Sequence, residues 1–343
     1  LSSELSESMS IRITPKDWED LIKFYPDFES SIINIHERLS RRLFSQAACH
    51  DAAIRLDLSE IQRLRDMLKD ESPSPIPWNR AFRAANHDWV NWAQLSNQAL
   101  KWDWHFQPLT PLKTLSDLWS DQAHIMVTNS GKHDSFLSEL KQAKCSFSVE
   151  VNLGNTFNQE PISLFVPKKQ PLPNTPSFYR HLLDQCRRLI LGRRRITIIL
   201  IDDLQLRLQL LSELVGEFGL RVVHETTDSE SNGIICCSCD WWIINQDQLP
   251  MPDQLIFGII PFPTLESPLI AARAQTFKEQ GRDWFREFLL PETLSILLKS
   301  IALIRGKDVR VAILDGRMRY RSWGKLIFQK LEPWIPLERL LPN

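Results

Sequence analysis

Positive charge is where this sequence could do chemistry. Arg180, Arg187, Arg188, Arg193, Arg194 and Arg195 fall in one short stretch opposed only by Asp184. Near the C-terminus Arg305, Lys307, Arg310, Arg317, Arg319, Arg321, Lys325 and Lys330 outweigh Asp308 and Asp315, with Tyr320 and Trp323 among them. Guanidinium groups at this density neutralise phosphates and release counterions, while aromatic rings between them offer stacking faces to unpaired bases. The expected contact to a polynucleotide is therefore through phosphates, chiefly by Arg187, Arg188, Arg193, Arg194, Arg195, Arg319 and Arg321. A solvated arginine face has the same composition, and a closing helix packed on a sheet accounts equally well for Trp323.

Three other groupings are weaker. Cys236-x-x-Cys239 is a single pair, whereas a structural zinc site takes four ligands, so these residues read as cysteines on a buried strand and no metal is expected. Gly131-Lys132 has no glycine ahead of it at the Gly-x₄-Gly-Lys-Ser/Thr spacing, and His133 stands at the magnesium-ligand position, which leaves a turn. Trp78, Trp89, Trp92, Trp102, Trp104 and Trp119 are dense enough to form stacking platforms. The spacing of Trp89 and Trp92 places them instead in a helical core.

The 343 residues are 43% apolar and carry 41 basic against 42 acidic groups, so any nucleic-acid site depends on the placement of charge and not on its excess. That length predicts more than one unit, since single cores seldom grow beyond roughly 250 residues. Six irregularly placed cysteines suit a reducing compartment. With no apolar run long enough to span a bilayer and no signal peptide at the polar start, the expectation is a cytoplasmic chain without membrane contact.

The elements that must position these residues follow from periodicity. Thr14-Pro15 with Asp17 starts a helix that ends at Tyr25-Pro26; a second spans 27–46, and a third is capped by Asp57. Phe82, Ala85, Trp89, Trp92 and Leu95 fit another amphipathic helix, while Trp102, Trp104 and Phe106 alternate as a strand does. Beyond a proline-studded linker over 167–176 and a helix over 177–191, Ile196–Ile201, Gly233–Cys237, Leu255–Ile260 and Val309–Leu314 are short apolar runs separated by helical segments. Such runs predict neighbouring parallel strands of one doubly wound sheet.

The wording of the loops is more specific. Pro261-Phe-Pro-x₄-Pro268-Leu-Ile-x-Ala-Arg273, Leu290-Pro-Glu292, Leu303-Ile-Arg305 and Ile313-Leu-Asp-x-Arg317 occur in one order that resembles the second motor lobe of DinG/XPD-like superfamily 2 DNA helicases. The resemblance covers about residues 100 to 335. It implies an α/β fold, a RecA-like doubly wound parallel sheet over 167–343. Before it come a mostly helical, arch-like region over 1–107 and, over 108–166, the end of a first motor lobe with its connecting strands. His124–Thr128 would be the last strand of that first lobe. It further implies Arg305 as the catalytic arginine, with Arg305 and Trp242 at the nucleotide.

This chain departs from the family where the nucleotide is handled. Leu298 and Ala302 stand where the family has the glutamine and first arginine of Gln-x-x-Gly-Arg-x-Ile-Arg, and Trp241–Gln246 keeps one tryptophan of Phe-Trp-Glu-Gly-x-Asp without its acids. ATP and Mg²⁺ are therefore expected only where an upstream first lobe completes the site, and none is expected within these residues; no iron–sulfur cluster is expected either. Two functions remain open: an ATP-dependent DNA helicase completed by sequence before Leu1, or a degenerate helicase acting as a nucleic-acid-binding or scaffold module. The partners implied are DNA, single-stranded in preference, and either a further protein or a missing N-terminal lobe.

Overall fold

A computed structural model describes residues 2–46, 52–68, 74–96, 101–119, 125, 149, 151, 160–192 and 195–337. Apart from Ile125, the expected strand His124–Thr128 lies outside these residues, as do Gly131-Lys132, Arg193 and Arg194. The chain forms two compact units, Leu1–Glu150 with Pro263–Leu289, and Val151–Phe262 with Leu290–Asn343. No helix among the described residues is long and apolar enough to cross a membrane.

In the first unit, strands β1 (Ile11–Ile13), β2 (Ala53–Arg55), β3 (Trp89–Leu95) and β4 (Trp102–Pro108) form an antiparallel sheet ordered β1-β4-β3-β2. Helices Pro15–Phe24, Glu29–Gln46, Leu58–Met67 and Ile76–Arg83 share one core with this sheet. The first starts where Asp17 reaches back to the backbone N–H and hydroxyl of Thr14, at 2.7 and 2.6 Å. The expected helix through Trp89, Trp92 and Leu95 is instead β3. Its inward set is Asn91, Ala93 and Leu95, and the buried Asn91 hides the alternation because it looks polar. Asn91 is there to accept the indole N–H of Trp104 at 2.9 Å.

Trp78, Trp102 and Trp104 are core residues, and each indole N–H is used: Trp78 on the Asp17 carbonyl at 2.8 Å, Trp102 on the Ser40 hydroxyl at 2.9 Å. In these three residues the buried indole tip thus has a partner, which offsets the cost of taking its N–H out of water. Arg38 and Arg42 of the helix Glu29–Gln46 reach the buried Glu60 carboxylate at 2.6 and 2.9 Å. On the other sheet face Val90, Trp92 and Leu109 pack with Leu269 and Ala272 of the helix Pro268–Glu279. Arg273 of that helix donates to the carbonyls of Leu109 and Pro108.

The second unit is a seven-stranded parallel sheet ordered β11-β5-β10-β9-β6-β8-β7. Its strands are β5 (Ile162–Phe165), β6 (Thr197–Leu200), β7 (Val222–His224), β8 (Ile234–Cys237), β9 (Gln254–Phe257), β10 (Arg310–Ile313) and β11 (Trp334–Pro336). The four strands expected to be neighbours are contiguous, as β10-β9-β6-β8, and parallel. From β6 the chain proceeds toward β7, and from β9 toward β10, so the connections diverge between β6 and β9. That divergence places the crevice of an open α/β sheet at the carboxyl ends of these strands. Gly258 keeps the crevice floor tight: a Cβ there would lie 2.7 Å from Cγ1 of Ile201.

Candidate nucleic-acid interface

At the carboxyl end of β10 the chain turns through Asp315-Gly316-Arg317. Asp315 is fully buried. Its Oδ2 accepts the Ile260 N–H at 3.0 Å and an Arg317 NH2 proton at 2.7 Å, while Oδ1 accepts the Arg317 backbone N–H at 2.9 Å. A buried carboxylate held by these donors fixes the guanidinium in one orientation. The Arg317 guanidinium carbon sits 5.0 Å from the centre of the Phe262 ring, and Trp323 meets Phe262 edge-on at 5.2 Å. The packing tolerates no side chain at Gly316, where a Cβ would lie 2.5 Å from the Pro171 carbonyl.

Around this group the remaining basic residues divide. Arg319 is spent on the linker, donating to the carbonyls of Pro167 and Val166 at 3.0 and 2.6 Å, and Gln170 of the same linker donates to the Ile313 carbonyl at 3.3 Å. Tyr320, Arg321 and Lys325 are exposed. Neither Arg321 nor Lys325 has a side-chain partner among the described residues. The surface can thus present cations and ring edges, with one guanidinium rigidly aimed.

The other arginine stretch lies at the opposite end of the same sheet. Arg195 precedes β6 and is bound to Asp253, which precedes β9, at 2.6 Å from Nε, with Asp308 ahead of β10 at 3.7 Å. Arg187 is paired with Glu217, and with Asp184 at 3.2 Å. Arg188 is exposed. Parallel strands put residues that precede them at one end and residues that follow them at the other, so Arg187, Arg188 and Arg195 are not brought together with Arg319 and Arg321.

Arg305 is buried at the amino ends of β5 and β11. It donates to the carbonyls of Glu160 at 3.2 Å, Pro333 at 3.5 Å and Leu331 at 3.0 Å, while Nε is enclosed without a partner among the described residues. Burial holds its pKa below the usual arginine value. Trp242 is also buried, its indole N–H donated to the Ser300 carbonyl at 2.8 Å.

The comparisons with known proteins bear on the fold. Over 98% of its length the chain is similar to Xpd4 of S. tokodaii, with a TM-score of 0.56 and 11% identity across 74% of that chain. It is similar to a solved XPD helicase at the same TM-score of 0.56, 11% identity and 98% coverage, spanning 67% of that chain. A third likeness is to an apo XPD structure, with a TM-score of 0.56, 12% identity, 97% of this chain and 75% of that one. The chain has an XPD-like helicase fold. No family model matches the sequence, and no curated protein does.

Arg305 and Trp242 are the residues expected at a nucleotide. Both are turned to main-chain carbonyls. At the start of the helix Cys239–Asn245, Asp202 accepts the Cys239 N–H at 2.7 Å, and Glu225 accepts the Ser238 N–H at 3.0 Å and its hydroxyl at 2.8 Å. Glu225 adopts a left-handed backbone with φ of 42° and lies 3.3 Å from Arg207. Burial would raise its pKa, but the bonds from Ser238 and the charge of Arg207 prevail and hold it below the usual carboxylate range.

Cys236, Cys237 and Cys239 are buried, and burial pushes the Cys236 thiol up to about 12 and the other two well above the ordinary thiol value. Among the described residues no three His, Cys, Asp or Glu side chains are grouped to hold a metal. The residues that sequence reasoning left without a role are Phe262 and Asp315. The signal was present in the Asp-x-Arg spacing directly after a buried strand, where a carboxylate can grip the arginine two residues on.

Proposed function

We propose that this chain binds single-stranded DNA through phosphates at the carboxyl end of the seven-stranded sheet, as a helicase-fold binding module. On this reading residues 1–343 supply no ATP hydrolysis of their own. The observation that carries it is the buried Asp315 holding Arg317 over Phe262, beside Trp323, with Tyr320, Arg321 and Lys325 open to solvent next to them. A preset guanidinium and two unpaired cations suit a phosphate track, and ring edges beside it suit unstacked bases, which duplex DNA does not offer. The replacements at Leu298 and Ala302, with Arg305 and Trp242 turned to main-chain carbonyls, support binding over turnover.

The test is fluorescence anisotropy of a labelled oligonucleotide titrated at several salt concentrations. With about three phosphates neutralised, log K against log salt has a slope of roughly −2 for a single strand, and duplex of the same sequence binds more weakly. Salt-independent binding removes the phosphate reading, and DNA-stimulated ATP turnover by residues 1–343 removes the reading of a binding module without catalysis.

A further inference from the structure

The loops that follow the strands of the seven-stranded sheet carry charge in a spatial order that the sequence scatters. Along the sheet, β5 is followed by Lys168 and Lys169, both exposed, and its neighbour β10 by Arg317, Arg319, Arg321 and Lys325 against the single carboxylate of Asp315. Residues 258–262, which follow β9, include no charged side chain. Beyond them β6 is followed by Asp202 and Asp203, and β8 by Ser238, Cys239 and Asp240, with all three aspartates exposed. Glu225, after β7, adds no net charge because Arg207 lies 3.3 Å from it.

Lys169 is tied to the end of β10 through its chain neighbours. Arg319 holds the carbonyls of Pro167 and Val166, and the buried Gln170 donates to the Ile313 carbonyl at 3.3 Å. On the other side, Asp203 accepts the Leu206 N–H at 2.8 Å, and no ion pair among the described residues involves Asp203 or Asp240. Neighbouring strands lie about 4.8 Å apart, so the end of β5 is about 5 Å from that of β10, and the end of β6, across β9, is about 10 Å from it. Fields of exposed charges fade over about 8 Å at physiological salt and over about 10 Å or more in dilute salt. A polyanion at the end of β10 is thus drawn toward β5 and repelled from β6.

We propose that Lys169 is a further phosphate contact of the single strand, which runs from the end of β10 toward β5, and that Asp203 and Asp240 bar it from the β6 and β8 side of the crevice. This rests on the binding function proposed above and gives that function a direction. With Lys169 as a fourth contact, the slope of log K against log salt steepens from roughly −2 to roughly −2.8.

Anisotropy of a labelled single strand titrated with the full chain, over about 0.02 to 0.5 M salt, tests this with Arg321→Glu as the control for the binding function. A contact with a slope of 0.7 contributes about eightfold at about 0.05 M salt, so Lys169→Glu should weaken binding by at least about that factor and flatten the slope by roughly 0.7. Asp203→Asn with Asp240→Asn keeps an oxygen for the Leu206 N–H and should strengthen binding about twofold at about 0.02 M, a gain that fades by about 0.5 M. Circular dichroism should be unchanged in each variant, since all these side chains are exposed. If Lys169→Glu binds as the parent does while Arg321→Glu weakens binding, the proposal is overturned and the binding function stands. Aspartate variants that bind no more tightly than the parent overturn it in the same way. A parent that binds no single strand, or whose binding Arg321→Glu leaves untouched, removes the binding function itself and this direction with it.

Discussion

The two ends of the seven-stranded sheet use the same residue type to opposite purpose. At the amino end Arg305 is buried under three main-chain carbonyls and Arg195 is tied to Asp253, so each guanidinium closes the structure where strands begin. At the carboxyl end Arg317 is gripped by Asp315 from below and laid on Phe262, and Arg321 and Lys325 extend unpaired. What separates a staple from a contact is position along the strand. Loops that precede parallel strands are short and filled by their own polar groups, whereas those that follow them open on the crevice.

The sharpest way to break the comparison is Arg305→Ala. Removing a buried charged donor leaves the carbonyls of Glu160 and Leu331 without it, and a loss of about 3 kcal/mol of stability is expected. Urea denaturation should show a lowered midpoint with an unchanged slope, and DNA binding by the folded fraction should be preserved. A variant as stable as the parent would return Arg305 to the role of a free catalytic group.

How far this contrast could be read from sequence depends on the distance between the residues involved. The four central strands were legible because each is a short apolar run, and burial on both faces leaves no alternation to misread. Thr14 and Asp17 were legible because a capping box closes within three residues. β3 was not: Asn91 occupies an inward position that only its bond to Trp104 explains, and that bond spans a strand pairing. Arg319 was read as a phosphate contact because nothing near it in sequence shows the Val166 and Pro167 carbonyls it meets. Arg305 likewise finds its partners about 26 and 145 residues away.

The binding side of the comparison sharpens through Arg321→Glu combined with Lys325→Glu. Both side chains are exposed and unpaired, so folding should be unaffected, while two attractive phosphate contacts become repulsive. Affinity for single-stranded DNA should fall by at least about tenfold, or about 1.4 kcal/mol, and the salt slope should flatten by roughly 1.4. The loss should be similar for every sequence, since phosphate contacts carry no base information. An unchanged titration would move the interface away from this end.

The smallest effect is expected from Arg195→Ala, and it tests whether the amino end is closed to DNA. The Arg195 side chain is 48% exposed, so its pairing with Asp253 is largely screened. The Arg195 backbone N–H would still bond Asp253 at 3.0 Å after the substitution. Exposed pairs of this kind contribute about 0.2 to 1 kcal/mol, which places the expected loss of stability near 0.5 kcal/mol. Because Asp253 and Asp308 already neutralise this guanidinium, no phosphate contact is lost with it, and neither affinity nor salt slope should move. A fall in affinity as large as that of the Arg321 and Lys325 variant would show that the polynucleotide reaches the amino end, and the division between staple and contact would then fail at Arg195.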